Sequence, residues 1–217
     1  MAGAEHTEDP VDICDVEELR SRYREPTPAV LHKARPVIDP AAADLIAASP
    51  LIVVATTSAS GTDASPRGGP PGFVVTVDEH TIAFGDLAGN NRLDTYANIV
   101  EHPAVGVLFL VPGLEETLRV NGQARVTTDP YVLDRTTIDG KRPKVAVAID
   151  VDECYIHCGK ALRRSGLWDP TTWPATDERP TAGEVLVGQF SLEMDPALID
   201  ADLEAGYRET LWEHGGE

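Results

Sequence analysis

The pattern of apolar and polar positions changes character near residue 50. Before it, the chain reads as short helical pieces. Residues 15–23 carry acids early and bases late, an order that suits the helix dipole, and Pro26 and Pro28 stop that segment. Asp39 and Pro40 open a second helix, running to Ser49, with Asp39 as N-cap and Pro40 at the first helical position. From Leu51 the chain turns to short runs rich in Val, Ile, Thr and Phe. Leu51 to Thr57, Gly72 to Asp78, Thr81 to Gly85, Val105 to Pro112, Thr117 to Thr127 and Val145 to Cys158 each predict a strand. Two helical segments interrupt them. Residues 91–102 place Leu93, Tyr96, Ala97 and Val100 on one face before Pro103 ends the helix, and 130–136 is a shorter candidate. Six strands with interspersed helices but no regular βαβ alternation predict a mainly β fold, an antiparallel barrel with helices packed outside. Beyond it come a basic stretch over 159–168, a Pro-rich arm through Pro170, Pro174 and Pro180, and a helix over 195–212 with Leu198, Ile199, Leu203 and Leu211 as its apolar positions. The organisation is thus an N-terminal extension over 1–40, partly helical, a β-rich domain over 41–192 and a helical tail over 193–217.

Composition narrows the function classes. The chain has 217 residues, 42% of them hydrophobic, which is enough for a sizeable core. Its 36 acids against 18 bases give a formal charge of -18. Gripping a long nucleic acid or an anionic membrane needs a basic surface, so neither partner is expected. The acidity is mostly terminal: residues 1–18 hold seven acids and no Lys or Arg, and 193–217 hold eight acids against Arg208 alone. The longest apolar runs, 50–55 and 104–111, are strand-sized and short of the roughly 20 residues a membrane-spanning helix needs. Cys14, Cys154 and Cys158 are too few and too unevenly placed for a disulfide framework, and the acidic first residues do not read as a signal peptide, so a cytoplasmic location is expected.

Three segments could carry chemistry. Residues 63–72 hold three glycines, three prolines and Arg67 between two strands, where backbone amides and a guanidinium can converge on a small anion such as phosphate. A wide hairpin loop with an incidental Arg67 fits the same composition, and Asp63 and Ser65 read there as turn caps. Residues 87–94 run into a helix N-terminus, where free N–H groups favour an anion and Asn90, Asn91 and Arg92 add donors. Plain capping, with Asn91 as N-cap and Asp94 in the first turn, is the other reading. Residues 157–168 cluster Lys160, Arg163 and Arg164 within about a helical turn and end on Trp168, a flat surface for a ring; a solvated basic face paired with acids is the alternative. Cys154 and Cys158 on one strand would share a face but stand roughly 13 Å apart, too far for a disulfide or a shared zinc. The Walker A motif, the Rossmann glycine fingerprint, His-Glu-x-x-His and Gly-x-Ser-x-Gly are all missing from the sequence.

Taken in order, the segments at 65–68, 71–75, 89–94, 105–113, 116–122 and 157–168 resemble the pyridoxamine 5'-phosphate oxidase family, and within it a bacterial subgroup assigned FMN-dependent chemistry. The resemblance covers roughly residues 20–212 and implies an FMN-binding split barrel over 41–192, working as a homodimer with flavins at the subunit interface. It makes Ser65 and Arg67, with Asn90, Asn91 and Arg92, candidates for the FMN phosphate and ribityl chain, and Lys160, Arg163 and Trp168 candidates for flavin or interface contact. Two departures point away from pyridoxamine phosphate oxidation itself. Asn90-Asn91-Arg92 stands where the vitamin enzyme carries Ser-Arg-Lys, and the chain ends on 211–217 without that enzyme's Arg-Leu-x-x-Arg. The expectation is an FMN-dependent oxidoreductase moving a hydride between a small organic substrate and flavin. A deazaflavin-dependent reductase and a non-catalytic flavin-binding module are the rivals.

Overall fold

A computed structural model of the chain describes residues 12–87 and 89–212. The first eleven residues of the predicted extension and the last five of the predicted tail lie outside the described residues. The chain divides into two compact units, at residues 33 and 34. In the first, helix α1 (Val16–Ser21) starts on Asp15, whose carboxylate accepts from the backbone N–H groups of Glu17 and Glu18. Pro28, expected only to end a helix, opens α2 (Pro28–His32), because a proline at the first helical position has no N–H to lose. Neither helix buries a residue.

In the second unit, α3 (Pro40–Ala48) begins as expected on Asp39, which accepts from the Ala42 N–H at 2.9 Å. Seven strands follow rather than six: β1 (Leu51–Ser58), β2 (Gly61–Gly68), β3 (Val74–Asp78), β4 (Thr81–Gly85), β5 (Ala104–Leu110), β6 (Thr117–Thr127) and β7 (Ala146–His157). They form one antiparallel sheet in the order β2-β1-β5-β6-β7-β4-β3. The sheet is not closed, since β2 and β3 are its two edges, and this is the split form of the expected barrel. The strand missing from the sequence reading is β2, which occupies much of the predicted 63–72 loop. Its polar composition and Pro66 suit an edge, where one side of the backbone has no ladder to complete.

Alternation along β4 and β7 divides the core. Ile82, Phe84, Val147 and Ile149 face the main core, with Ile46 of α3 and Ile99 of the next helix. The intervening Ala83, Ala146 and Ala148 face a second cluster under Val132 and Leu133 of α5 (Pro130–Arg135). A strand covered on both sides shows a continuous apolar run, as Ala146–Ile149 does. Between Asn121 and Gly122 the β6–β7 register shifts, leaving Asp152 as an extra residue in β7. Gly122 there lies against the Asp150 carbonyl oxygen, with no room for a Cβ.

Helix α4 (Asp94–Glu101) differs from its prediction. Leu93 and Asn91 take left-handed φ angles of 61° and 57°, so Asn91 is not the N-cap and the helix starts late. Its buried face is Thr95 and Ile99, while the predicted face positions Leu93, Ala97 and Val100 are exposed. Polar ties turn the helix: the Thr95 hydroxyl reaches β2, and Asn98 donates to the Thr56 hydroxyl at 2.9 Å. After α6 (Lys160–Ser165), the Pro-rich arm makes two 3-10 turns and then an unexpected helix, α7 (Ala182–Phe190). A reciprocal box of Thr181 and Glu184 starts α7, a Thr-x-x-Glu signal readable in the sequence. It packs against α8 (Pro196–Thr210), where the Gly183 N–H donates to Asp200 at 2.7 Å. In that predicted tail helix Ile199 and Leu203 are half-buried, but Leu198 and Leu211 are exposed, because one neighbouring helix covers a narrower stripe than a barrel would.

Gly122→Ala is expected to cost about 3 kcal/mol or more, through collision with backbone on a central strand pair; a denaturant midpoint like that of the wild type would contradict this. Burial, with the Asp39 carboxylate second, pushes the Cys154 thiol up to about 11 from an ordinary 9.0, whereas Cys14 and Cys158 are exposed. Native protein at pH 8 should therefore be alkylated at Cys14 and Cys158 but not at Cys154. The stability from keeping that thiol neutral is complete below pH 9 and declines as pH rises towards about 11. Mass spectrometry and a pH series of unfolding curves check both.

Candidate functional site

Alternation on the edge strand β2 puts Asp63, Ser65 and Arg67 on one face, half-buried, with exposed residues between them. That face looks toward the start of α4 and the loop before it. Together they enclose a cleft of about 650 Å³, with Phe73 and Phe84 as its buried apolar wall. The signal for this face was legible as a period of two through Asp63, Ser65 and Arg67, but the neighbouring glycines and prolines pointed to a loop.

A hydrogen-bond network joins strand to helix. The Thr95 hydroxyl, buried at 1% exposure, donates to Asp63 Oδ2 at 3.2 Å and accepts from an Arg67 terminal nitrogen at 2.9 Å. Ser65 donates to the same Asp63 oxygen at 2.7 Å. Asp63 is therefore not a turn cap but the acceptor that ties β2 to α4. The other terminal nitrogen of Arg67 donates to the Pro66 carbonyl at 2.8 Å, and the guanidinium lies 5.9 Å from the Tyr96 ring centroid, within cation–π range. Tyr96 donates to Asp86 at 2.5 Å; burial first, and then this hydrogen bond, push its phenol well above the ordinary range. It stays protonated near neutral pH and cannot accept a proton there.

Asn90, Asn91 and Arg92 line the same cleft from the loop, all three exposed. The Asn90 side chain accepts from the Arg92 N–H at 3.1 Å, and the Arg92 guanidinium turns to Asp94 at 2.8 Å. The five candidates from the first two segments, Ser65, Arg67, Asn90, Asn91 and Arg92, are thus brought to one place. Asp63, Asp86, Thr95 and Tyr96 join them, and their roles depend on contacts between segments that sequence spacing does not show.

The third segment lies elsewhere: Lys160, Arg163 and Trp168 do not line this cleft. Arg163 pairs with Glu115, which holds its guanidinium pKa above the ordinary value, and the Trp168 ring N–H donates to the Leu114 carbonyl at 2.8 Å. Both anchor α6 and its sequel to the turn before β6. Lys160 is exposed, and among the described residues its ammonium makes no ion pair. No group of three or more His, Cys, Asp or Glu side chains among the described residues is placed to hold a metal. No helix among them is long and apolar enough to cross a membrane.

Residues 38–158 match the family model described as pyridoxamine 5'-phosphate oxidase. No curated protein matches the chain in sequence. Solved structures similar to it include HupZ of Group A Streptococcus, 23% identical over 52% of this chain and 89% of that one, with a TM-score of 0.41. A FAD binding protein from Mycobacterium smegmatis is 15% identical over 57% of this chain and 97% of its own, at a TM-score of 0.41. A FMN-binding protein from Syntrophomonas wolfei subsp. wolfei is 16% identical over 59% and 86%, at 0.40.

Thr95→Val keeps the side chain's shape but removes the hydroxyl shared by Asp63 and Arg67. The expected cost is about 1–3 kcal/mol, from losing two hydrogen bonds to charged, half-buried partners. Urea unfolding measures it, and a loss below a few tenths of a kcal/mol would show that water replaces the hydroxyl freely.

Proposed function

The chain belongs to the pyridoxamine 5'-phosphate oxidase family, and on that premise we propose that it binds FMN in the cleft between β2 and α4 and acts as an FMN-dependent oxidoreductase, moving a hydride between flavin and a small organic substrate. The observation that carries this is the convergence of Arg67 with Asn90, Asn91 and Arg92, from two separate segments, on one cleft with an apolar wall. The donor set fits a phosphorylated flavin. Arg67 is half-buried and held in place by Thr95 and Tyr96, so little side-chain freedom is lost when it meets an anion. The Asn90 and Asn91 amides can serve phosphate or hydroxyl groups, and Phe73 and Phe84 keep water from the wall.

When bound, the flavin supplies the two-electron chemistry. The chain's part is to bind, orient and exclude water. Arg67 fixes the anionic end, and the protonated Tyr96, committed to Asp86, is a structural support rather than a base. The reading includes a homodimer in the cytoplasm, in which Lys160, Arg163 and Trp168 stand at the flavin or the subunit interface. The small organic substrate is not clearly pyridoxamine phosphate, since Asn90-Asn91-Arg92 stands here in place of the Ser-Arg-Lys run of that enzyme.

Purified protein is expected to be yellow, or to become so with added FMN, and to release FMN on denaturation. A colourless protein that takes a deazaflavin but refuses FMN would overturn the cofactor assignment, and bound FMN that no donor reduces would overturn the enzyme assignment. Arg67→Ala should weaken FMN by about 1.5–3 kcal/mol, roughly tenfold to a hundredfold, as loss of a charge-assisted phosphate contact. Fluorescence titration with FMN measures it, and unchanged affinity would remove Arg67 from the site.

A further inference from the structure

The charges that line the cleft do not match a phosphate site built for the highest affinity. Its described lining residues include Asp63, Asp86 and Asp94 against Arg67 and Arg92, a formal excess of one negative charge. Arg92 is already paired with Asp94. The hydroxyls that could donate to a phosphate are also engaged: Ser65 and Thr95 both give their protons to Asp63 Oδ2, so toward a ligand they present lone pairs. One carboxylate thereby does two things at the Arg67 end of the cleft. It adds negative charge beside the guanidinium, through the Thr95 hydroxyl they share, and it turns two donors into acceptors.

We propose that Asp63 is a specificity-determining residue of the cleft, one that sets how much negative charge the Arg67 end accepts: it opposes a terminal phosphate dianion and tolerates a singly charged phosphodiester or an uncharged polyol. The inference rests on the flavin reading and deepens it. The wild-type protein then draws less of its FMN affinity from the phosphate than its arginines and asparagines would otherwise give, and it discriminates less sharply between FMN and riboflavin, which differ by that phosphate alone, than it would without the Asp63 charge.

Asp63→Asn tests this, because the amide oxygen still accepts from Ser65 and Thr95 while the charge is gone. Should that variant not fold, Asp63→Ser removes the same charge and carries the same expectation. Calorimetric titrations at pH 8, where a phosphate monoester is a dianion, would use three probes, FMN, riboflavin and inorganic phosphate. Asp44→Asn, an equal charge change on the exposed side of α3, serves as control. Removing the charge at Asp63 should tighten FMN and phosphate about five- to tenfold, the size of one screened like-charge contact at a half-exposed site, and leave riboflavin within about twofold. The control should move none of the three. Equal shifts for FMN and riboflavin, an equal effect of the control, or FMN binding that is unchanged or weaker in the variant would overturn the role of Asp63 and leave the flavin reading standing. If neither flavin binds but phosphate still tightens in the variant, the flavin reading falls and the role of Asp63 stands. If none of the probes binds either protein, both fall.

Discussion

Strand β7 is apolar on both faces along its first half, and a strand of that kind can lie only where the sheet is covered twice. Its ladder partners are β6 and β4, and the alternation of Val147 and Ile149 with Ala146 and Ala148 assigns one face to the main core and the other to the small cluster under α5. The size difference between the two sets decides which face takes the larger volume: valine and isoleucine meet Ile46 and Phe84, while alanines let α5 approach closely. With the centre of the sheet fixed in this way, the polar strand β2 is left for an edge.

The edge position is what allows a site to form. An interior strand carrying Asp63, Ser65 and Arg67 on one face would bury charge without compensation. At the edge, the same three side chains are half-buried and can be satisfied by the first turn of α4. Thr95 is the residue through which this happens, since one buried hydroxyl serves as donor to the carboxylate and acceptor from the guanidinium. That contact also explains why α4 is turned so that Leu93 and Val100 face solvent, against the helical periodicity of its apolar residues. Satisfying buried polar groups outweighs burying two more apolar side chains when the polar partners have no other recourse.

Much of the architecture could be read from residue order. Six of the seven strands, the cap at Asp39 and the short helix after Asp129 follow local rules of alternation, propensity and capping, because those rules act between residues close in sequence. The capping box that starts α7 was legible too, but the prolines around it pointed to an extended arm. The site was only partly legible. Charge and amide content marked Arg67 and the 90–92 segment as anion-seeking, whereas nothing in spacing joined Asp63 to Thr95, 32 residues away.

By itself, then, the sequence determined the β-rich class, the positions of most elements and the two segments rich in anion-binding groups, since each depends on local periodicity and composition. Tertiary structure alone decided that the 61–68 segment is an edge strand, that Arg163 and Trp168 are engaged with Glu115 and Leu114, and that Asp63 shares a hydroxyl with Arg67. A polar side chain does not carry its partner in its own sequence neighbourhood. Which donor meets which acceptor is fixed only when strand pairing and helix packing bring distant backbones together, and the charge balance of a cleft is a property of that meeting.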